Sequence, residues 1–145
     1  MKRLLTIKDA DVGLETKGCS NYRKRGAARA VLKKGNEIAL LHVKNHNYYK
    51  LPGGGIDDGE TIIEALNREI LEETGCTSRI SQELGEIFEE RSHVGVYQTS
   101  YCFIAEVIEE GTPKFTEKEL GDGFELVWVF LDKAINLIKN SKPNS

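Results

Sequence analysis

The chain has 145 residues, 39% of them apolar and 30% charged, with a net charge of −3. That length suits one domain, able to bury about 68–70% of the surface its unfolded form exposes, and the composition is that of a soluble globular protein. The acidic balance argues against a stable nucleic-acid partner, which needs a dominant basic surface to displace counterions, and leaves a nucleotide substrate open.

Cys19, Cys76 and Cys102 are odd in number and lack CxxC spacing, so neither a disulfide framework nor a zinc site is expected. A reduced, cytoplasmic setting is the simplest expectation. Asp9, Asp11 and Glu15 fall where a signal peptide needs an apolar core, and no segment approaches about 18 apolar residues. Neither export nor a membrane partner is expected.

In chain order, two apolar runs at residues 27–32 and 38–43 flank the turn-like Lys34-Gly35-Asn36 and predict a β-hairpin. Leu51-Pro52-Gly53-Gly54-Gly55 predicts a loop whose backbone is free to approach a ligand. Thr61, with Glu64 three residues on, forms a capping box, predicting a helix over residues 62–74 that stops at Gly75. Strands are expected at residues 80–91 and 94–107, joined near Ser92-His93. Phe124, Leu126, Trp128 and Phe130 then alternate on one face of a further strand. Asp132 opens a short amphipathic helix through Ala134, Ile135 and Ile138. The order predicts an α/β fold, a mixed sheet covered by helices.

The first helix breaks its own pattern. At about 100° per residue, Ile62, Ala65, Leu66, Glu69, Glu72, Glu73 and Cys76 share a stripe about 120° wide that begins apolar and turns acidic. Burying an unpaired carboxylate costs several kcal/mol or forces it to take a proton, so a cation is expected there. Glu69, Glu72 and Glu73 at i, i+3 and i+4 repel one another unless a divalent ion intervenes. Hard oxygen donors without His or Cys favour magnesium, with manganese as the second choice. A plain solvated helix end, with Arg68 paired to Glu64 and Glu72, is the bland alternative.

Residues 54–76, GGIDDGETIIEALNREILEETGC, resemble the signature of the Nudix family: Gly, five residues, Glu, seven residues, Arg-Glu, an aliphatic residue, any residue, Glu-Glu, any residue, Gly, aliphatic. Gly54, Glu60, Arg68, Glu69, Ile70, Glu72, Glu73 and Gly75 match. Cys76 departs at the closing aliphatic position, where a buried thiol serves as a small hydrophobe. The resemblance implies the family's α/β/α sandwich with a mixed sheet, and hydrolysis of a nucleoside diphosphate linked to a group X. It implies Glu69, Glu72, Glu73 and a carbonyl of the Gly53–Gly55 run, assigned to Gly54, as metal ligands. Glu69, Glu72 and Arg68 are the implied catalytic residues, with Arg68 orienting the glutamates. Glu60 reaches the metal through water or holds the loop against the helix. Either Glu69 or a loop glutamate such as Glu117 or Glu119 takes the proton of the attacking water.

Other candidates stand outside the motif. Arg23, Lys24, Arg25 and Arg29 form a basic cluster suited to phosphate, of which Arg23 and Arg25, with Glu119, are the expected substrate contacts. His93 is a candidate acid or base. Tyr48, Tyr49 and Tyr97 are candidates for stacking a base. Two subfamily marks, a proline about 15 and a tyrosine about 17 residues past the motif, are absent, which disfavours ADP-ribose and dinucleoside polyphosphate hydrolases and leaves mutator-like triphosphate hydrolases among several choices. A small-molecule nucleotide is the expected partner, and monomer or homodimer stays open. The alternative class is a non-catalytic nucleotide-sensing module of the same fold; such modules lose motif glutamates, and this chain keeps them.

Overall fold

The computed structural model describes residues 1–7, 23–91 and 95–141. Strand β1 is Arg3–Ile7, β2 is Arg23–Lys34 and β3 is Glu37–Val43. A 3-10 turn at Lys44–His46 leads to β4, Tyr48–Lys50, and β5, Gly53–Gly55. Helix α1 is Ile62–Thr74, followed by β6, Thr77–Arg91, and β7, Val96–Glu109. Helix α2, Glu117–Gly121, strand β8, Phe124–Phe130, and helix α3, Leu131–Lys139, complete the order.

One mixed sheet runs β1-β6-β7-β2-β3-β4, with β5 paired to β2 and β8 to β3. β2 lies parallel to β7, from Arg23 opposite Val96 to Lys33 opposite Glu106. Alternation places Ala28, Ala30 and Leu32 on one face, where Ala65, Leu66 and Ile70 of α1 pack against them. Val31 points the other way, into a cluster of Ile38, Leu40 and Ala134 that includes Val127, Val129 and Leu137. α1 therefore covers one face and α3 the other, giving the expected α/β/α layering.

The expected hairpin forms only at its tip. β2 and β3 pair at Lys33–Ile38 and Lys34–Glu37 and then part, because β5 takes over the edge of β2 from Ala27 to Arg29 while β3 turns to β8. The three glycines expected as a loop are thus a strand. Gly53 has φ +144°, and a Cβ there would collide with the carbonyl oxygen of Ala28. Only glycine combines that backbone angle with so close a strand neighbour.

β8 is apolar on both faces: Leu126 and Trp128 join the α1 core, Val127 and Val129 join the α3 core, and Phe130 is 60% exposed. On α3 the inward residues are Ala134 and Leu137, so the expected inward stripe is corrected, since Ile135 and Ile138 face outward. Among the described residues Cys76 and Cys102 are free and buried, and no helix is long and apolar enough to cross a membrane. Cys19, His93 and the 92–94 connection lie outside the described residues.

Candidate active site

α1 forms as the capping signals predict. Thr61 Oγ1 accepts the Glu64 N–H at 3.1 Å, Glu64 Oε1 accepts the Thr61 N–H at 2.9 Å, and the helix ends in a left-handed Gly75. Its apolar beginning anchors the core, which fixes where the acidic end must emerge: beside β5 and β4, at the sheet edge opened by the parting of β2 and β3. There Gly54, Glu69, Glu72 and Glu73 line one cleft of about 560 Å³ together with Arg25, Arg68 and Glu119. Arg23 and Glu117 do not line it; Arg23 opens onto a neighbouring cleft.

Arg68 ties the wall together. Its Nε and Nη2 donate to the two oxygens of Glu60, each at 2.8 Å, its Nη1 donates to Glu69 Oε1 at 2.9 Å, and Nη2 also donates to the Gly55 carbonyl at 3.1 Å. Glu72 Oε2 stands 3.6 Å from Nη1. The bidentate fork, with the Asp57 N–H also donating to Glu60, holds the Glu60 carboxyl down at about 2. Glu60 is therefore the brace between the 55–60 loop and the helix. Of the pairs expected for a plain solvated helix end, Arg68 with Glu72 is present at 3.6 Å, whereas Glu64 serves Thr61 and the shorter bonds of Arg68 go to Glu60 and Glu69.

The three motif glutamates are not equivalent. Glu73 is 1% exposed, its Oε1 accepts the Gly53 N–H at 2.8 Å, and its Oε2 lies 3.6 Å from Lys50 Nζ. Burial pushes its carboxyl up to about 7, against the pull of Lys50 and of the Gly53 N–H. Glu69 is less enclosed; burial raises its proton affinity too, and Arg68 opposes that rise. Glu72 stands at the rim with a side chain 40% exposed. Lys50, whose own pKa burial lowers, is held between Glu73 and the ring of Phe124, 5.1 Å from its centroid.

Among the described residues no three acidic, His or Cys side chains already close into a metal cage. The donor chemistry nevertheless fits a hard divalent ion. The carboxylates are oxygen-only donors, Glu69 is destabilised as an anion by burial, and Glu69 Oε1 sits 2.7 Å from where a Cβ on Gly54 would stand. The missing side chain at Gly54 is thus what lets a carboxylate lie on this backbone.

The opposite wall is α2 with its flanks: Thr116, Lys118, Glu119, Asp122 and Phe124 line the cleft. The sequence reading passed over this helix as a polar segment, although Thr116 and Glu119 carry the same capping signal as Thr61 and Glu64. Glu119 Oε1 accepts the Thr116 N–H at 2.9 Å, so one of its oxygens is already engaged. Lys50 was also missed; its place next to the Leu51-Pro52-Gly53 flank was the available signal. Tyr48 lines the cleft, whereas Tyr49 stacks on His42 with ring centroids 4.2 Å apart and Tyr97 packs against Phe88 at 5.6 Å. Those last two expectations of base stacking give way to packing within the sheet.

The model of the NUDIX domain family matches residues 23–145. A putative 8-oxo-dGTP diphosphatase of Bacillus subtilis is 43% identical over 61 residues, 42% of this chain and 41% of that protein. An ADP-ribose pyrophosphatase of Methanocaldococcus jannaschii is 37% identical over 89 residues, 57% of this chain and 50% of that protein. The chain thus spans half or less of the length of these relatives. Among solved structures, a NUDIX hydrolase from Nitrosomonas europaea has a TM-score of 0.66 at 19% identity, over 83% of this chain and 81% of that one. A MutT NUDIX hydrolase from Burkholderia pseudomallei has a TM-score of 0.62 at 22% identity, over 85% and 89%. With the family model covering most of the chain and the fold shared by these structures, the protein belongs to the NUDIX family.

Proposed function

We propose that the protein is a divalent-metal-dependent pyrophosphohydrolase that splits a nucleoside diphosphate linked to a group X into two phosphorylated products. The observation that carries this reading is the gathering of Glu69, Glu72, Glu73 and the glycine strand on one cleft wall, with Arg25, Arg68 and Lys50 beside them. Glu69 and Glu72 are the accessible oxygen donors for the ion, with the Gly54 carbonyl as the backbone donor. Glu73 joins them if it gives up its contact with Lys50. The ion, magnesium in this reading and manganese as a substitute, supplies charge neutralisation on the phosphate oxygens and a lowered water pKa.

The chain's own residues do the rest. Arg25 and Lys50 hold phosphate oxygens, and Arg68 ties Glu69 Oε1 to the Gly55 carbonyl, which positions Glu69 at the cleft. Glu69 and Glu119 each have one oxygen engaged, Glu69 by Arg68 and Glu119 by its helix cap, so each keeps a second oxygen that can take the proton of the attacking water. The two curated relatives act, by name, on an oxidised nucleoside triphosphate and on ADP-ribose, which supports a nucleotide with either a phosphate or a larger X.

The test is a magnesium-supplemented panel of nucleoside triphosphates, oxidised nucleotides, nucleotide sugars, ADP-ribose and dinucleoside polyphosphates, with products separated by chromatography. Nucleoside monophosphate plus a second phosphorylated product is the expected outcome. Glu72→Gln should lower kcat by about 10²–10³-fold with the fold unchanged by circular dichroism. Full turnover in that variant would refute the proposed metal site.

A further inference from the structure

Arg25 lines both the active-site cleft and the neighbouring cleft that Arg23 opens onto, and its guanidinium is held from behind by a buried polar pair. On one face of β7, Val96, Gln98, Ser100 and Cys102 are all buried, and the middle two are polar although each is only 3% exposed. β2 runs parallel to β7 with Arg25 opposite Gln98. Arg25 Nη1 donates to Gln98 Oε1 at 3.2 Å, and Gln98 Nε2 donates to Ser100 Oγ at 3.2 Å. The second bond turns the acceptor end of the amide toward Arg25. In front, Nη2 and Nε lie 3.0 and 3.3 Å from where a Cβ on Gly55 would stand, so a side chain at 55 would displace the guanidinium. The family signature leaves position 55 open; Arg25 supplies the reason for glycine here.

The two arginines of the cleft are thus held in different ways. The charge of Arg68 is taken up by Glu60 and Glu69, whereas Gln98 is neutral and fixes the direction of Arg25 without cancelling its charge. A polar pair buried on a core strand is unfavourable unless its groups are bonded, and here the bonding leads outward to Arg25. We propose that Gln98, backed by Ser100, is a positioning residue for Arg25: the buried amide holds the guanidinium where it meets a phosphate oxygen of the substrate. The proposal rests on the hydrolase reading for the identity of that ligand. Gly55 links this clamp to the glutamate wall, since its carbonyl accepts Arg68 Nη2 at 3.1 Å while Arg25 lies against its Cα. The phosphate-binding and glutamate-holding arginines are thereby registered on one residue of β5.

The test is titration calorimetry with magnesium and methylenediphosphonate, a diphosphate that cannot be hydrolysed and carries neither base nor sugar. Wild type, Gln98→Leu, Arg25→Ala and the double variant form a cycle. Gln98→Leu should weaken binding about tenfold, because Arg25 keeps its charge but loses its direction. In the Arg25→Ala background the same change should alter affinity by less than about twofold, because the amide has nothing left to position. Ser100→Ala takes the place of Gln98→Leu if that variant does not fold, with a loss of about threefold that likewise vanishes without Arg25. An unchanged affinity in the folded variant, an equal loss with and without Arg25, or no binding by the wild type overturns the proposal. Hydrolysis of the nucleotide panel is followed in parallel. Turnover with an unmoved affinity removes the positioning role and keeps the hydrolase; the expected binding cycle without turnover of any nucleotide removes the hydrolase and keeps the phosphate clamp.

Discussion

The two walls of the active-site cleft are built in opposite ways. The α1–β5 wall draws its parts from one stretch, residues 53–75, and is braced internally: Arg68 holds Glu60, Glu69 and the Gly55 carbonyl, and Gly53 donates to buried Glu73. The α2 wall is pinned from afar. Asn45 Nδ2 donates to the Gly121 carbonyl at 2.6 Å, His46 Nε2 lies 3.0 Å from Asp122 Oδ1, and the Asn45 N–H donates to the Asp122 carbonyl at 3.0 Å. The first wall is held by charge-assisted contacts, part-buried around Arg68 and buried at Glu73, whereas the second is a short capped helix, without a buried residue of its own, held by a few exposed or part-buried bonds. A wall that must keep three carboxylates together needs the former.

That contrast breaks most sharply at Gly53. Gly53→Ala forces a Cβ into the Ala28 carbonyl at a φ that alanine avoids, and should cost about 3 kcal/mol, read as a lowered urea midpoint. A neutral result would show that β5 shifts freely and that the wall is not rigid.

Next comes the buried carboxyl. Glu73, pushed up from 4.5 to about 7, binds a proton in the folded state that the unfolded state has already released. Its stabilising contribution is complete below pH 4.5 and fades as pH rises through about 7, a loss on the order of 3 kcal/mol at most. Glu60, held near 2, has the opposite sign, but loses its contribution only as pH falls from 4.5 toward 2. Melting curves between pH 5 and 8, recorded with a chelator, exclude Glu60 and report Glu73 together with Glu69, whose burial acts with the same sign. The wild type should lose stability across that range and Glu73→Gln should lose less. Magnesium should raise the wild-type Tm more at pH 8 than at pH 5.

Arg68→Lys keeps the charge and removes the fork. It should cost about 2 kcal/mol and let the Glu60 carboxyl return toward its ordinary value, visible in an NMR titration of the Glu60 side chain. The smallest effect belongs to the other wall. Asn45→Ala removes one hydrogen bond, worth about 1 kcal/mol, and should act locally. Faster amide exchange in residues 117–123 and a raised KM are expected, with little change in the global melting temperature. A large global loss would mean that α2 is as integral as α1.

Legibility divides along the same line. The helix over residues 62–74, its capping box and its glycine stop were readable because each signal lies within a few residues of its partner. The acidic turn of its stripe was readable because a 3.6-residue period converts spacing directly into direction. The hairpin was only half readable. Two apolar arms and a turn specify that β2 and β3 meet, but not that a glycine strand twenty residues downstream displaces one from the other. α3 was misread for a related reason: Ile135 and Ile138 are apolar, yet the short helix has room to bury only Ala134 and Leu137 against β3, β4 and β8.

By itself, then, the sequence determined the family, the order of the main elements and the carboxylate helix, because these depend on local backbone preference and on the fixed spacing of one motif. Only the tertiary structure decided that Glu73 is buried against Gly53 and Lys50 while Glu72 stays at the rim, and that Arg25 sits between two clefts while Arg23 opens onto one. It also decided that α2 closes the site from the far side. Each of those outcomes depends on contacts between residues distant in the chain, and burial, which sets the charge state of a carboxyl, exists only once those contacts have formed.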